Sequence, residues 1–276
     1  MKLIDFDGMF DEKLAKYISE NSSKHSESEW EDIIPKLYDR FGDTVVKSIG
    51  KTPRAFYAEM SDDDLIKCLK AHLNRGIPVS EFMCGEIETR SLTEKLFPLL
   101  DGSAEEREYA MNFIGSDERV IKKYLDMLTR AGDSETKERC LELVREKASL
   151  VINEVLLNYK NGVDKEYMLE IMSRSEDKSD EIFGILLNEF RTAPDRVSLN
   201  AGYLASYGDE RALPYLLDKI DGDVSFLDYR ELKFAVEALG GEYKKARDFS
   251  SDPYYSAVKD YLPEDGDTSG GEGKNG

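Results

Sequence analysis

Between Leu92 and Tyr261 a single apolar word recurs along the chain: two apolar residues, two variable, two apolar, two variable, one apolar. It reads Val120-Ile121, Tyr124-Leu125, Leu128, then Val151-Ile152, Val155-Leu156, Tyr159. It returns as Ile182-Phe183, Leu186-Leu187, Phe190 and as Ala212-Leu213, Leu216-Leu217, Ile220. The starts lie 31, 31 and 30 residues apart. Any amphipathic helix spells such a word once, because its apolar stripe follows the 3.6-residue turn. The near-constant spacing carries the information: it is the period of a helix pair that cannot hide its stripe alone and must stack on the next pair.

The segments between the words supply a second helix for each pair. They open on residues that provide an oxygen or a preset φ where the first amide protons lack partners: Ser103, Ser134, Asp164, Ala193-Pro194-Asp195 and Asp228. They close at Gly102, Gly115, Gly132, Asn161-Gly162, Gly208 and Gly240-Gly241, where a left-handed turn costs least. With eight prolines in the chain and almost no alternating β-branched runs, the expected class is all-α.

Residues 1–88 read differently. Short helices are expected from Ser28 to Gly42, from Thr52-Pro53 to Met60, from Ser61 to Asn74 and from Ser80 to Glu86, as an irregular cap or a pair of degenerate repeats. A repeat array of four to five pairs is expected over 89–262. From 263 to 276 the composition is Gly, Asp, Glu and Ser without an apolar anchor, so an acidic disordered tail is expected there.

At this level the sequence resembles the HEAT-like, armadillo-type family of α-solenoid repeats. Gly208-Asp209-Glu210-Arg211-Ala212-Leu213-Pro214-Tyr215-Leu216 is similar to the first helix of such a repeat, proline included, and Ala235-Val236-Glu237-Ala238-Leu239-Gly240 to the end of its second helix. Arg107, with Ala110 and Phe113-Ile114-Gly115, resembles the family's second-helix arginine followed by small and apolar residues; Lys137 and Lys165 fall near the same place in the next two repeats, and the final repeat has Leu232. The resemblance covers about 170 residues. It implies a right-handed α-α superhelix whose second helices line the inner curve, with Arg107, Lys137 and Lys165 as candidate binding-surface residues; Tyr203, Tyr207 and Tyr229 are further candidates, because aromatics bury large area at small entropy cost. The tetratricopeptide alternative needs a 34-residue period and a Trp-Leu-Gly-Tyr pattern, and Trp30, the only tryptophan, lies outside the repeats.

Charge sorts the partners. The chain has 38 Lys+Arg against 57 Asp+Glu, a formal charge of −19. Affinity for a phosphate backbone comes mainly from cations that displace counterions, so no nucleic-acid partner is expected, and a protein or peptide of basic character fits. Asp5 and Asp7 stand where a signal peptide would need its apolar stretch, and no apolar run approaches a membrane span, so no membrane partner is expected. Cys68, Cys84 and Cys140 are too few and too scattered for a disulfide framework, which points to a reducing, cytoplasmic setting.

Catalytic signatures are sparse. With two histidines, His25 and His72, most triad and zinc-protease schemes fall away. No His-Glu-x-x-His, Gly-x-Ser-x-Gly, Gly-x-Gly-x-x-Gly or Walker-type loop is present. Cys68 and His72 share a helix face, and Cys84 follows 16 residues on, which is three of four zinc ligands by type. The apolar neighbours Leu65, Ile66, Leu69 and Leu73 favour a packed core helix instead, so neither metal nor cofactor is expected. Asp62-Asp63-Asp64 suits the first turn of a helix, where the dipole favours acids. The half calcium loop at Asp265, Asp267, Ser269 and Gly270 has Gly276 where the twelfth-position Glu belongs.

The expectation is therefore a non-enzymatic protein- or peptide-binding scaffold. The alternative is an enzyme on the same scaffold, similar to HEAT-like bilin lyases or DNA glycosylases; the glycosylase version needs a basic groove.

Overall fold

The computed structural model describes residues 2–130 and 132–261, without the side chain of Asp260. The tail expected at 263–276, with its half calcium loop, lies outside the described residues. Among those residues the fold is all-helical: sixteen α-helices, short 3-10 turns and no strand, with one isolated antiparallel bridge between Val46 and Lys51. Among them, too, no helix is long and apolar enough to cross a membrane. The chain divides into two compact units, residues up to Val120 with Asp133–Thr136, and Ile121–Gly132 with residues from Lys137 onward.

The first unit holds α1 (Phe6–Asn21), α2 (Glu27–Gly42), α3 (Pro53–Ala58), α4 (Asp62–Leu73), α5 (Glu81–Thr89), α6 (Thr93–Leu96) and α7 (Ala104–Ile114). The sequence reading did not delimit α1, whose amide ends are satisfied by Asp5, the carboxylate accepting from the Gly8 N–H at 2.8 Å. Ser26 and Glu29 form a capping box that starts α2. Thr52 caps α3, with Pro53 in its first turn, and Ser61 caps α4. Asp62, Asp63 and Asp64 occupy the first turn of α4, where Asp62 pairs with Arg90 and Asp63 with Lys95.

Arg90 is the polar hub of this unit. Its guanidinium donates to the carbonyls of Ala58 and Met60, each at 2.8 Å, and of Tyr57 at 3.3 Å, and its Nε donates to Glu86 at 2.7 Å. It thereby supplies donors to the Tyr57 and Ala58 carbonyls in the last turn of α3 and to the Met60 carbonyl just beyond it.

Gly102 departs from expectation. Its φ of −86° is not left-handed. What the position requires is absence of a side chain: a Cβ there would stand 1.8 Å from Oε2 of Glu106. Glu106 is 2% exposed, and its carboxylate accepts from Asn74 Nδ2 at 3.0 Å and lies 3.3 Å from Lys70 Nζ, tying α7 to α4.

The second unit holds α8 (Ile121–Arg130), most of α9 (Ser134–Arg145), α10 (Ile152–Lys160), α11 (Lys165–Ser173), α12 (Asp180–Thr192), α13 (Val197–Tyr207), α14 (Leu213–Asp221), α15 (Phe226–Ala238) and α16 (Pro253–Val258). The words fall on α8, α10, α12 and α14 and the turns that enter them. Their first and fifth positions are buried throughout: Val120 and Tyr124, Val151 and Val155, Ile182 and Leu186, Ala212 and Leu216. Within this unit α10 packs on α11, α12 on α13 and α14 on α15, while α11 meets α13 and α13 meets α15.

Polar contacts repeat at the same interval. Lys122 Nζ donates to Glu154 at 2.7 Å, Tyr159 Oη to Glu189 at 2.6 Å, and Arg211 to Asp180 at 2.6 Å. Arg196 donates to Glu166 at 3.1 Å and Ser198 Oγ to Asp228 at 2.6 Å. Each joins residues 30 to 32 apart. The Lys122–Glu154, Arg196–Glu166 and Arg211–Asp180 pairs are exposed and individually weak, while the Tyr159–Glu189 and Ser198–Asp228 bonds are half-buried; together they mark a common interval between helices of this unit.

Several helix starts differ from those expected: α2 begins at Glu27 behind Ser26 instead of at Ser28, α13 begins at Val197 after a 3-10 turn at Pro194–Arg196, and α9 and α15 use other caps. Asp133 caps α9, accepting from the Thr136 N–H at 2.7 Å, so Ser134 is already inside the helix. Ser225 caps α15, accepting from the Asp228 N–H at 3.1 Å, and Asp228 instead uses its carboxylate to bind Ser198 and Ser225.

Candidate binding cleft in the first unit

The aromatic core of the first unit opens on a cleft of about 490 Å³ between α1, α2 and the start of α5. Its floor is a run of rings. Tyr38 stacks on Phe82, with centroids 4.6 Å apart and planes 8° apart, and Phe10 meets Tyr38 edge-on at 4.9 Å. Phe10 and Phe82 are buried. The walls are Ile34 and Pro35 of α2. Pro35, inside the helix, withholds the amide hydrogen that would bond the carbonyl one turn back.

Tyr38 is locked by two hydrogen bonds. Its hydroxyl donates to Asp7 Oδ1 at 2.5 Å and accepts from the Glu81 N–H at 3.3 Å. Burial, and behind it the adjacent Asp7 carboxylate, push the phenol well above its ordinary range, so it remains a neutral donor at any physiological pH.

Four carboxylates, Asp7, Asp11, Asp39 and Glu81, line the cleft against one cation, Arg54. Arg54 is already engaged: it donates to Asp39, its Nε lies 3.5 Å from Asp43, and its guanidinium carbon sits 5.2 Å from the centroid of Phe82. Gly42 makes this arrangement possible, because a Cβ there would fall 2.5 Å from the Phe82 ring and 2.8 Å from Arg54 Nε. The resulting field is negative and the lining mixes rings with carboxylates, which suits an organic cation and repels an anion.

The residues singled out from sequence are placed elsewhere. Arg107 donates to the Gly102 carbonyl at 2.8 Å. Lys137 lies 3.2 Å from Asp164, one hairpin away, and 5.7 Å from the Tyr167 ring. Lys165 stands 5.1 Å from the Tyr159 ring. Tyr203 and Tyr207 are buried, the latter completely, with its hydroxyl donating toward the Asp177 and Ser179 carbonyls at 2.9 and 3.2 Å. These two tyrosines are taken up by packing and offer no open surface. Tyr229 is half-buried, its ring against Tyr243 and Phe249. Around it Phe226, Tyr254 and Tyr255 complete an aromatic cluster, while Phe234 and Tyr261 remain exposed.

Cys68 and His72 are both fully buried in α4, and Cys84 is half-buried on α5. His72 Nδ1 stands 2.9 Å from the Pro78 carbonyl, which can only accept, so that nitrogen carries the proton. Among the described residues no group of three or more His, Cys, Asp and Glu side chains is placed to hold a metal ion. No protein-family model, no curated protein and no solved structure matches the chain.

None of the cleft residues was singled out for function in the sequence. They come from α1, α2, the α3 start and α5, and no local spacing announces that these segments share one opening. Four aromatic positions, Phe10, Tyr38, Phe41 and Phe82, were the available signal, but each reads as ordinary core in isolation.

Proposed function

We propose that this chain is a non-catalytic, HEAT-like helical-repeat scaffold that binds a basic protein or peptide in the cytoplasm. The observation that carries the reading is the cleft rimmed by four carboxylates, with its single cation already paired, in a chain of formal charge −19. Support for the repeat scaffold comes from the 30-to-32-residue interval of the polar contacts in the second unit and from the succession of α11, α13 and α15. A right-handed superhelix of those pairs is the arrangement that such a succession suits. Support for a reducing setting comes from Cys68, Cys84 and Cys140, which all stand as free thiols.

The test is a peptide array with matched Lys/Arg-rich and Asp/Glu-rich sequences, probed with the full chain at low ionic strength. Retention of the basic set, weakening as salt rises, is the expected result, because exposed charge pairs are screened beyond roughly 10 Å at 0.1 M salt. Equal retention of the acidic set, or none of either, overturns the reading.

A further inference from the structure

We infer that the cleft of the first unit seats an arginine or lysine side chain of the basic partner, with its charged head at Asp11 and Glu81 and its methylene stem along Ile34 and Tyr38. This deepens the basic-peptide reading and rests on it. The space suits such an occupant: 490 Å³ lies within the usual range for a site that encloses a ligand group. The charges are already sorted by their partners. Asp7 is committed to the Tyr38 hydroxyl, and Asp39 to Arg54. Asp11 and Glu81 line the same opening, both exposed, with no side-chain hydrogen bond or ion pair among the described residues.

The rings add a second kind of recognition. Arg54 over Phe82 shows that this aromatic group accepts a guanidinium, and a cation against a ring contributes about 0.5–2 kcal/mol depending on its desolvation. A bare divalent ion would need more oxygen ligands than converge here, since no metal-holding group of three exists among the described residues. An organic cation with an apolar stem uses both the carboxylates and the apolar wall; a small inorganic cation uses only the former.

Calorimetric titration of the full chain with acetyl-(Gly-Arg)3-amide, and with the same peptide carrying neutral citrulline for arginine, tests this. The wild type is expected to bind the arginine peptide about tenfold or more tightly than the citrulline peptide at low salt. The double variant Asp11→Asn, Glu81→Gln is expected to lose about tenfold or more in affinity for the arginine peptide, with its thermal unfolding unchanged. Ile34→Lys, which puts a cation into the opening, is expected to do the same. Equal affinity of wild type and both variants for the arginine peptide places its site elsewhere: the cleft assignment falls and the basic-peptide reading stands. Equal affinity for the citrulline peptide removes the charge recognition, and no binding of either peptide to the wild type removes both readings.

Discussion

Tyr159 and Glu189 are thirty residues apart in the chain and 2.6 Å apart in space, the phenol of one word's last position donating to the carboxylate on the next pair's first helix. Burial, then this carboxylate, raise the Tyr159 phenol far above its ordinary range. The contact ties α10 to α12. Tyr159→Phe is expected to cost about 1.5 kcal/mol, the low end for a hydrogen bond to a charged group because the site is half-open. Urea denaturation followed by circular dichroism measures it; a cost at or below the error of the fit would mean the pairs do not register through this contact.

Asp117 sets an acid limit. The Arg119 guanidinium, and with it the Arg119 amide, hold its carboxyl down from 3.8 to about 2 against burial, which acts to raise it. The unfolded chain keeps the ordinary value, so between about pH 4 and pH 2 the unfolded state binds more protons. The stability that this carboxylate contributes is therefore fully present above about pH 4 and is lost as the pH falls toward 2. Stability curves of wild type and Asp117→Asn from pH 6 to pH 2 should converge over that window. Parallel curves would sink the assignment. Added salt should narrow the gap, since Arg119 is half exposed.

Gly102→Ala is expected to destabilise the first unit by about 2–4 kcal/mol, because the new methyl occupies the place of the buried Glu106 carboxylate and displaces it from Asn74 and Lys70. The informative experiment is the double-mutant cycle with Glu106→Ala. Removing the carboxylate relieves the clash, so the pair should cost less than the sum of the singles by about 1 kcal/mol or more. Strict additivity would mean the glycine serves some other purpose.

Burial raises the Cys68 and Cys84 thiols to about 11 each. At pH 8 both are overwhelmingly protonated, and the thiolate is the reactive species. Alkylation by iodoacetamide at that pH, mapped by mass spectrometry, should modify neither site in the native chain within minutes and both in urea. Fast native labelling of Cys68 would show that α4 opens far more readily than its packing implies.

What the sequence alone determined is the part of the architecture that depends on local periodicity. The recurring word placed α8, α10, α12 and α14, because a helix with a wide apolar stripe has one stable way to bury it. Ser61, Ser103 and Thr52-Pro53 marked true helix starts, since a cap acts within three residues. Where two oxygens compete, as with Ser225 and Asp228, local pattern did not rank them, and Ser198 on a neighbouring helix settled the roles. Gly102 does end the 3-10 turn Phe97–Asp101, but without a left-handed φ; it also leaves the room for Glu106, a side chain four residues on that bonds Asn74 and Lys70 of another segment. Tyr203 and Tyr207 offered as good a binding surface as any tyrosine on paper; packing of α13 between α11 and α15 left them none. The cleft belongs wholly to tertiary structure. Asp7, Asp11, Tyr38, Arg54 and Glu81 are separated by up to 74 residues along the chain, and their chemistry depends on which carboxylate finds a partner once they meet, a matter of distances that no periodicity encodes.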